Sequence, residues 1–237
     1  MSKMISVITI DLDDTLWNNK PTLDYAEGVL HDWLKEYVPL LAAKYSIEDM
    51  KKHRGEISKV EQKLSHDMTL LRRESLCRLS NRMGYSEQLI DQAMEVFLVA
   101  RNNVTLYDDV IPFLESCRAK NYQIVALSNG NSDVHAIGIG QYFSMTLSPS
   151  DVGTSKPDPA MFHFVFEQMN IKPDAVLHIG DEPKTDILGA ASAGVPCVWI
   201  NRNNMKLPEG IPAPEIEITS LAELIPLSET LQNYVLN

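Results

Sequence analysis

The chain has 237 residues, of which 44% are hydrophobic and 22% charged, with a formal net charge of −11. This composition predicts a folded globular chain and argues against a disordered or collagen-like one. Because the negative charge would repel nucleic-acid phosphates and anionic lipid, we expect a small-molecule partner, with no nucleic acid polymer and no membrane involved.

The chain begins with a predicted buried strand that ends in a cluster of acids. Ile5–Ile10 is apolar at consecutive positions, which is typical of a strand covered on both faces of a parallel sheet. Asp11, Asp13 and Asp14 follow directly in "DLDDT". The apolar run is too short to span a membrane, and it lacks the basic start and cleavage site of a signal peptide, so we expect a cytoplasmic protein.

Residues 18–105 have the pattern of an inserted, all-helical domain. Strand-like runs vanish there, and an apolar stripe at helical spacing extends from Tyr25 to Val38, before Pro39. Further helices are predicted at Ile47–Leu64, Thr69–Met83 and Ser86–Asn102, the last with Ser86 as its N-cap.

From residue 106 onward, predicted strands alternate with predicted helices. The strands are Gln123–Leu127, Met145–Leu147, Ala175–Ile179, Pro196–Ile200 and Ile216–Ile218. The helices are Asp109–Lys120, Pro159–Asn170 and Lys184–Ala193. This alternation predicts an α/β fold with a Rossmann-like, doubly wound parallel sheet, built from residues 1–17 and 106–237 around the helical insertion of residues 18–105.

Polar side chains follow three of the predicted strands. They are Asp11 and Asp13 after the first, Ser128 and Asn129 in "SNG", and Asp181 in "GDEPKTD". In open α/β sheets, ligands bind beyond the carboxyl ends of the strands, so these segments should meet at one edge of the sheet. Carboxylates at 11 and 181 would require a cation there, and hard oxygen ligands suit Mg²⁺.

Two further residues complete the predicted chemistry. Lys156, in "SKPDP", is suited to hold an anion and an attacking carboxylate, and Asp186 could orient Lys156 or a metal-bound water. The side chains of Asp11 and Asp13 point the same way along an extended strand. One of these two carboxylates could therefore attack a substrate while the other moves a proton.

Each of these motifs also has an ordinary structural explanation. "DLDDT" and "SNG" could be turns, "SKPDP" a proline-rich loop, and "GDEPKTD" an acidic helix N-terminus favoured by the helix dipole. Four such segments in order, three of them closing a predicted strand, favour a functional site instead.

The four segments resemble, in order, the four motifs of the haloacid dehalogenase (HAD) superfamily, and the helical insertion resembles the cap domain of that superfamily. The resemblance implies that Asp11 is a nucleophile that forms an aspartyl-phosphate, and that Asp13 is the general acid and base. It implies that the phosphoryl oxygens are held, or the carboxylates positioned, by Thr15, Ser128, Asn129 and Lys156.

The resemblance also implies a magnesium cofactor. Its ligands would be a carboxylate oxygen of Asp11, the backbone carbonyl of Asp13 and the side chain of Asp181, with Asp186 in a supporting position. Phosphoryl transfer depends mostly on positioning and on charge neutralisation, which a metal and one lysine supply.

Several activities of the superfamily are less compatible with this sequence. Its dehalogenases lack the second aspartate of the first motif, which is Asp13 here, and its mutases usually have glycine where this chain has Asp14. Its phosphonate-cleaving members need a cap lysine, and no lysine of the insertion is marked as buried. A phosphomonoester hydrolase therefore fits best, with a sugar-phosphate phosphatase or a catalytically idle binding or regulatory protein as alternatives.

The insertion contains the candidate substrate contacts. "HDMT" followed by Arg72, with "DLDDTLW" and "SNGN", resembles bacterial HAD phosphatases that act on flavin mononucleotide and on 5-amino-6-(5-phospho-ribitylamino)uracil. We expect Arg72 to reach a small phosphorylated metabolite of this kind, and Trp17 to form a wall of the pocket and stack on a flat base. Both a monomer and a homodimer remain open.

The cysteines and histidines indicate no second site. Cys77, Cys117 and Cys197 are scattered, so we expect reduced core thiols. The 6 histidines show no metal-binding spacing, and His178, within a predicted strand, is expected to be a packed core residue.

Overall fold

The computed structural model describes residues 5–227. They group into two compact units: residues 5–18, 105–130 and 138–227 form the first, and residues 19–104 with 131–137 form the second. The short segment 131–137 therefore groups with the helices of the second unit, outside the boundaries of 18–105 that the sequence suggested.

The first unit contains a sheet of six parallel strands in the order β3-β2-β1-β4-β5-β6. The strands are β1 (Val7–Ile10), β2 (Gln123–Leu127), β3 (Met145–Leu147), β4 (Val176–Gly180), β5 (Cys197–Ile200) and β6 (Ile216–Ile218). The predicted doubly wound, parallel α/β fold is confirmed. Because the chain runs outward from β1 through β2 to β3 and then returns to β4 on the other side, the order reverses between β1 and β4, where open α/β sheets bind ligands.

The central strands are buried on both faces. All four residues of β1 and all five of β4 are buried, as expected for parallel strands covered by helices on both sides. The helices of the first unit are α7 (Val110–Ala119), α9 (Pro149–Val152), α10 (Ala160–Met169), α11 (Leu188–Ser192) and α12 (Leu224–Leu227). Buried residues of α10, such as Phe162 and Val165, share one core cluster with Val7 and Val176 of the sheet.

The second unit is helical and has its own core. Its helices are α1 (Asn19–Tyr37), α2 (Pro39–Lys44), α3 (Ile47–Val60), α4 (Gln62–Ser65), α5 (Met68–Asn81), α6 (Glu87–Arg101) and α8 (Val134–Ile137). Leu30 and Leu34 of α1 belong to one buried cluster with Phe97 of α6. These residues recur at the spacing of one helix face, which is why the periodicity of the sequence revealed them.

Three predicted helices differ in detail. The helix predicted at Ile47–Leu64 is interrupted at Glu61, whose φ of −112° and ψ of 78° are not helical. The side chain of Ser86 makes no capping hydrogen bond, although Ser86 occupies the N-cap. The helix predicted at Lys184–Ala193 begins as a wide turn, Pro183–Ile187, of the π-helical kind.

The cysteines are free and buried, as predicted. Among residues 5–227, no helix has both the length and the apolar composition needed to cross a membrane.

Candidate active site

Acidic side chains converge where the order of the sheet reverses. Asp11 follows β1, and its N–H donates to the carbonyl of Ile179 in β4 at 2.9 Å, while Asp181 follows the end of β4. Carboxylate oxygens of Asp11, Asp181 and Asp186 all lie within 4.8 Å of one another. The parallel pairing of β1 with β4 accounts for this, because it places residues 170 positions apart in sequence at one edge of the sheet.

Lys156 lies inside this acidic cluster. Its Nζ donates to Asp11 Oδ1 at 2.7 Å and to Asp186 Oδ1 at 2.6 Å, and all three residues are buried. Burial disfavours the charge of the lysine, but the two carboxylates outweigh burial and raise the pKa of Lys156. The ammonium group therefore stays charged throughout the neutral pH range.

The carboxylates compete for that single positive charge. Burial raises the pKa of Asp11, and repulsion from Asp186 and Asp181 adds to the effect in spite of Lys156. Burial, with repulsion from Asp186, raises the pKa of Asp181 to about 7. Burial also disfavours the charge of Asp186, but Lys156 and His178 lower its pKa overall.

Three clustered carboxylates share the single ammonium group of Lys156, so the site is short of positive charge. A divalent cation would stabilise the ionised forms of Asp11 and Asp181, so the residues fit a metal ion. Asp186 is less suited to direct ligation, because Oδ1 accepts hydrogen bonds from Lys156 and His178 while Oδ2 accepts one from the N–H of Glu182. We infer that Asp11 and Asp181 are the carboxylates placed to bind the ion.

The loop that carries Lys156 is fixed by Asn129. The side-chain amide of Asn129 donates to the carbonyl of Lys156 at 2.9 Å, and its oxygen accepts from the N–H of Lys156 at 2.9 Å. Both polar ends of this side chain therefore position the lysine loop, while its second amide N–H leaves phosphate binding by Asn129 as a prediction.

The hydroxyl groups of Thr15 and Ser128 both take part in hydrogen bonds. The Thr15 hydroxyl donates to Asp181 Oδ1 at 3.0 Å, so it positions a carboxylate, one of the two roles that the sequence suggested. Ser128 is buried, and its Oγ accepts a hydrogen bond from the N–H of Gly130 at 2.9 Å. A hydroxyl that accepts can still donate, so the Ser128 hydroxyl keeps a proton to donate, and its binding to phosphate stays a prediction.

Trp17 lies inside the protein, next to Asp13. It is fully buried, and its Nε1 donates to Asp13 Oδ1 at 2.9 Å. The ring has no exposed face in this structure, and its stacking on a flat base stays a prediction. The residue contacts the carboxylate that the sequence suggested as the general acid and base.

Arg72 is enclosed within the helical unit. Its Nη1 donates to Glu27 Oε1 at 2.8 Å, and its guanidinium group lies over the ring of Phe97 at 3.6 Å. Arg54 contacts the same oxygen of Glu27. These contacts give Arg72 a structural role in the helical unit, and its contact with substrate remains a prediction.

Two residues that support the site, His178 and Trp199, were not predicted to do so from the sequence. His178 is buried as predicted, but its ring also links two hydrogen bonds, to Thr9 at 2.9 Å and to Asp186 at 3.2 Å. Thr9 and His178 are direct partners in the register of β1 and β4, a pairing that the sequence alone does not show. Trp199 was also missed; its Nε1 donates to the carbonyl of Asp181 at 2.8 Å.

Comparison with known proteins adds an independent finding. A family model described as haloacid dehalogenase-like hydrolase matches residues 5–194. The chain is 30% identical, over 230 residues, to the 5-amino-6-(5-phospho-D-ribitylamino)uracil phosphatase YigB of Escherichia coli (strain K12), and the match covers 94% of this chain and 96% of that protein. It is 26% identical to the human N-acylneuraminate-9-phosphatase, covering 96% and 95% of the two chains.

A solved structure also resembles the chain along nearly its whole length. The crystal structure of a 2-haloacid dehalogenase from Pseudomonas syringae pv. tomato DC3000 superimposes with a TM-score of 0.88 at 34% sequence identity, covering 96% of this chain and 99% of that chain. These similar proteins are named for two hydrolytic activities, phosphate ester hydrolysis and dehalogenation. The side chains at the edge of the sheet must indicate which of the two activities this chain has.

Proposed function

The chain belongs to the haloacid dehalogenase-like hydrolase family, and its relatives named as phosphatases support phosphatase activity. We propose that it is a magnesium-dependent phosphomonoester hydrolase that acts through an aspartyl-phosphate on Asp11. One observation carries the proposal. Asp11 is held by Lys156 at 2.7 Å beside a second carboxylate, Asp181, and the sequence places a further carboxylate, Asp13, two residues later.

In the first step, a carboxylate oxygen of Asp11 attacks the phosphorus atom and the bond to the alcohol oxygen breaks. Asp13 donates its proton to that oxygen, so the leaving group departs as a neutral alcohol. Such a general acid typically contributes a factor of ~10²–10⁴ to the rate. Lys156 holds the attacking carboxylate and offsets negative charge as it spreads over the phosphoryl oxygens.

In the second step, the now ionised Asp13 accepts a proton from water as that water attacks the phosphorus atom. The bond between phosphorus and the Asp11 oxygen breaks, which releases inorganic phosphate and regenerates both carboxyl groups. A carboxylate nucleophile thus divides one difficult hydrolysis into two easier displacements. The Ser128 hydroxyl is the proposed donor to a phosphoryl oxygen in both steps.

The proposed ligands of Mg²⁺ are the Asp11 carboxylate, the Asp13 backbone carbonyl and the Asp181 carboxylate. When bound, the ion supplies positive charge that offsets the charge of the transferring phosphoryl group. Asp186 supports the site by holding Lys156, and Thr15 orients Asp181.

Dehalogenation is the second candidate activity, because the structure from Pseudomonas syringae is named for it. A 2-haloacid dehalogenase needs no acid to protonate a halide, since halide is a good leaving group without a proton. The presence of Asp13, with its own hydrogen-bond donor in Trp17, favours an alcohol leaving group and therefore phosphate ester hydrolysis.

For the substrate, we propose a small phosphorylated metabolite of the cytoplasm, with flavin mononucleotide and 5-amino-6-(5-phospho-ribitylamino)uracil as the candidates. The relative YigB is named for the second compound, and the sequence around Arg72 resembles phosphatases of this kind. Sugar phosphates are the alternative class, and Arg72 is the proposed substrate contact in the helical unit.

The test is a panel assay of the purified full-length chain. We expect Mg²⁺-dependent release of inorganic phosphate from p-nitrophenyl phosphate and, faster, from a flavin-pathway phosphate, with no chloride released from 2-chloropropionate. Chloride release without phosphate release would replace the proposal with dehalogenation. Release of neither product, with Mg²⁺ present, would favour an idle binding protein.

A further inference from the structure

Two buried indole N–H groups are directed at the two loops that carry the reactive carboxylates. We propose that Trp17 and Trp199 are positioning residues with separate duties: Trp17 orients Asp13 for proton transfer, and Trp199 orients Asp181 for metal binding. The inference rests on the proposed function, because it assigns those roles to the two aspartates.

Trp17 reaches back to the loop from which it emerges. Its Nε1 donates to Asp13 Oδ1 at 2.9 Å, and its carbonyl accepts from the N–H of Asp14 at 2.8 Å. The backbone turns at Asp14, whose φ is 61°, so that both contacts form. Aspartate adopts this left-handed conformation more readily than most residues do. A single residue therefore fixes both the backbone and the carboxylate of this loop.

The loop is also held from its other side. Trp17 forms an isolated bridge with Leu106, and the carbonyl of Leu16 accepts from the N–H of Tyr107 at 2.9 Å. Arg202 Nη2 donates to the carbonyl of Thr15 at 3.0 Å. These contacts hold the backbone that carries the indole, so the hydrogen bond from the indole can restrict the rotation of the Asp13 side chain.

The chemistry of the indole suits this duty. An indole N–H can only donate, so it pairs with a carboxylate oxygen that is not carrying the proton. With Oδ1 of Asp13 engaged by Trp17, the proton of the general acid is assigned to Oδ2. A small displacement of a catalytic group lowers the rate by a large factor. A carboxylate held in one orientation should therefore transfer its proton faster than one that rotates.

Trp199 acts on the backbone instead. It lies in β5 as the direct partner of Gly180, the last residue of β4, and its Nε1 donates to the carbonyl of Asp181 at 2.8 Å. This contact fixes the direction in which Asp181 leaves the strand, while the Thr15 hydroxyl holds its Oδ1. Groups behind a metal ligand that orient it commonly contribute a factor of ~10–100 in metal affinity.

The test compares Trp17→Phe with Trp199→Phe, so that each variant is the control for the other. Both changes remove one N–H and keep a buried aromatic ring. Because phenylalanine is smaller and can loosen a core, the same positions are also replaced by benzothienylalanine, which has sulfur in place of the indole N–H and keeps the shape. Thermal unfolding of all four proteins shows whether the fold is retained.

For Trp17, the expected change depends on the leaving group. We expect kcat/KM, which reports the first step alone, to fall by ~10–100-fold for an alkyl phosphate and by less than ~3-fold for p-nitrophenyl phosphate, because nitrophenolate departs without a proton. Mg²⁺ affinity measured by calorimetry stays at the wild-type value. Equal losses on the two substrates, or no loss, would overturn the role of Trp17.

For Trp199, the expected change is in metal binding. Calorimetry should show Mg²⁺ affinity reduced by ~10-fold or more, with kcat at saturating Mg²⁺ within ~3-fold of wild type for both substrates. Unchanged Mg²⁺ affinity would overturn this assignment. A wild-type protein that releases no phosphate would instead overturn the proposed function and the role of Trp17, while the calorimetric comparison would still decide Trp199.

Discussion

Lys156 Nζ lies 2.7 Å from Asp11 Oδ1, although 145 positions of sequence separate the two residues. The contact depends on the parallel sheet, which places the end of β1 beside the loop after α9. It is a buried ion pair with a second carboxylate, Asp186, on the same ammonium group. This arrangement keeps the Asp11 carboxylate in one orientation next to a fixed positive charge.

Magnesium affinity should depend on pH through Asp181. The pKa of this carboxyl group is raised to about 7 in the metal-free protein, first by burial and then by Asp186. Protons and Mg²⁺ therefore compete below that pH. We expect affinity to increase by about tenfold or more per pH unit as the pH rises toward 7, because Asp11, whose pKa is also raised by burial, must lose its proton as well. Calorimetric titrations at a series of pH values measure this dependence, and a flat profile would contradict the assignment.

The same raised pKa predicts how the stability of the metal-free protein changes with pH. The folded state binds a proton at Asp181 more tightly than the unfolded chain does. Protonation of Asp181 therefore stabilises the fold at low pH, and this stabilisation is lost as the pH rises through the folded pKa of about 7. The variant Asp181→Asn should reduce this decline. Melting temperatures of chelator-treated wild type and variant across the window from about pH 5 to about pH 8 test the expectation.

Gly180 should not accept a side chain. A Cβ atom at this position would lie 2.2 Å from Cγ of Asp186, whose carboxylate is held by Lys156 and by the N–H of Glu182. We expect Gly180→Ala to displace Asp186 and to lower kcat by ~100-fold, since a shift near 1 Å has that cost.

The matched control is Gly28→Ala, in α1, where an added Cβ meets nothing within 4 Å. It should leave kcat unchanged and slightly raise the melting temperature, because alanine favours a helix more than glycine does. If Gly180→Ala kept full activity, the position of Asp186 would not be needed to hold Lys156 in place, which would contradict this prediction.

Arg72 and Arg73 should differ sharply in their contribution to stability. Arg72 is 4% exposed and shares Glu27 with Arg54, so Arg72→Ala removes a partner from a buried charged group and should cost ~3–5 kcal/mol of unfolding free energy. Arg73 makes its ion pairs to Glu87 and Asp91 at the surface, and Arg73→Ala should cost less than ~1 kcal/mol. Denaturant unfolding of both variants measures the difference, and equal losses would contradict the buried role of Arg72.

The sequence predicted the sheet well because each strand is short, apolar and followed by a polar residue. Asp11, Ser128 and Asp181 could be assigned to one edge of the sheet on this basis alone, since parallel strands align their carboxyl ends. The wide turn at Pro183–Ile187 could not be predicted, because hydrophobic periodicity does not distinguish it from the first turn of an α-helix.

The supporting contacts were predicted less well, because they depend on register and on loop conformation. His178 meets Thr9 only because β1 and β4 pair in one particular register. Trp17 was interpreted as a pocket residue because a tryptophan near a catalytic motif has the size and shape to bind a flat ligand. Its burial, and its hydrogen bond to Asp13, arise from a loop conformation that no pattern of residue types shows.

The proposed mechanism depends most directly on Asp11 as the nucleophile. Acid-quenched mass spectrometry of the protein during turnover tests this assignment. We expect a phosphoryl group on the peptide that contains Asp11 in wild type and in the control Asp14→Asn, which changes a neighbouring carboxyl group in the same way. Asp11→Asn should carry no phosphoryl group and release no phosphate. Phosphate release by Asp11→Asn at the wild-type rate, or phosphorylation of another residue, would contradict the account.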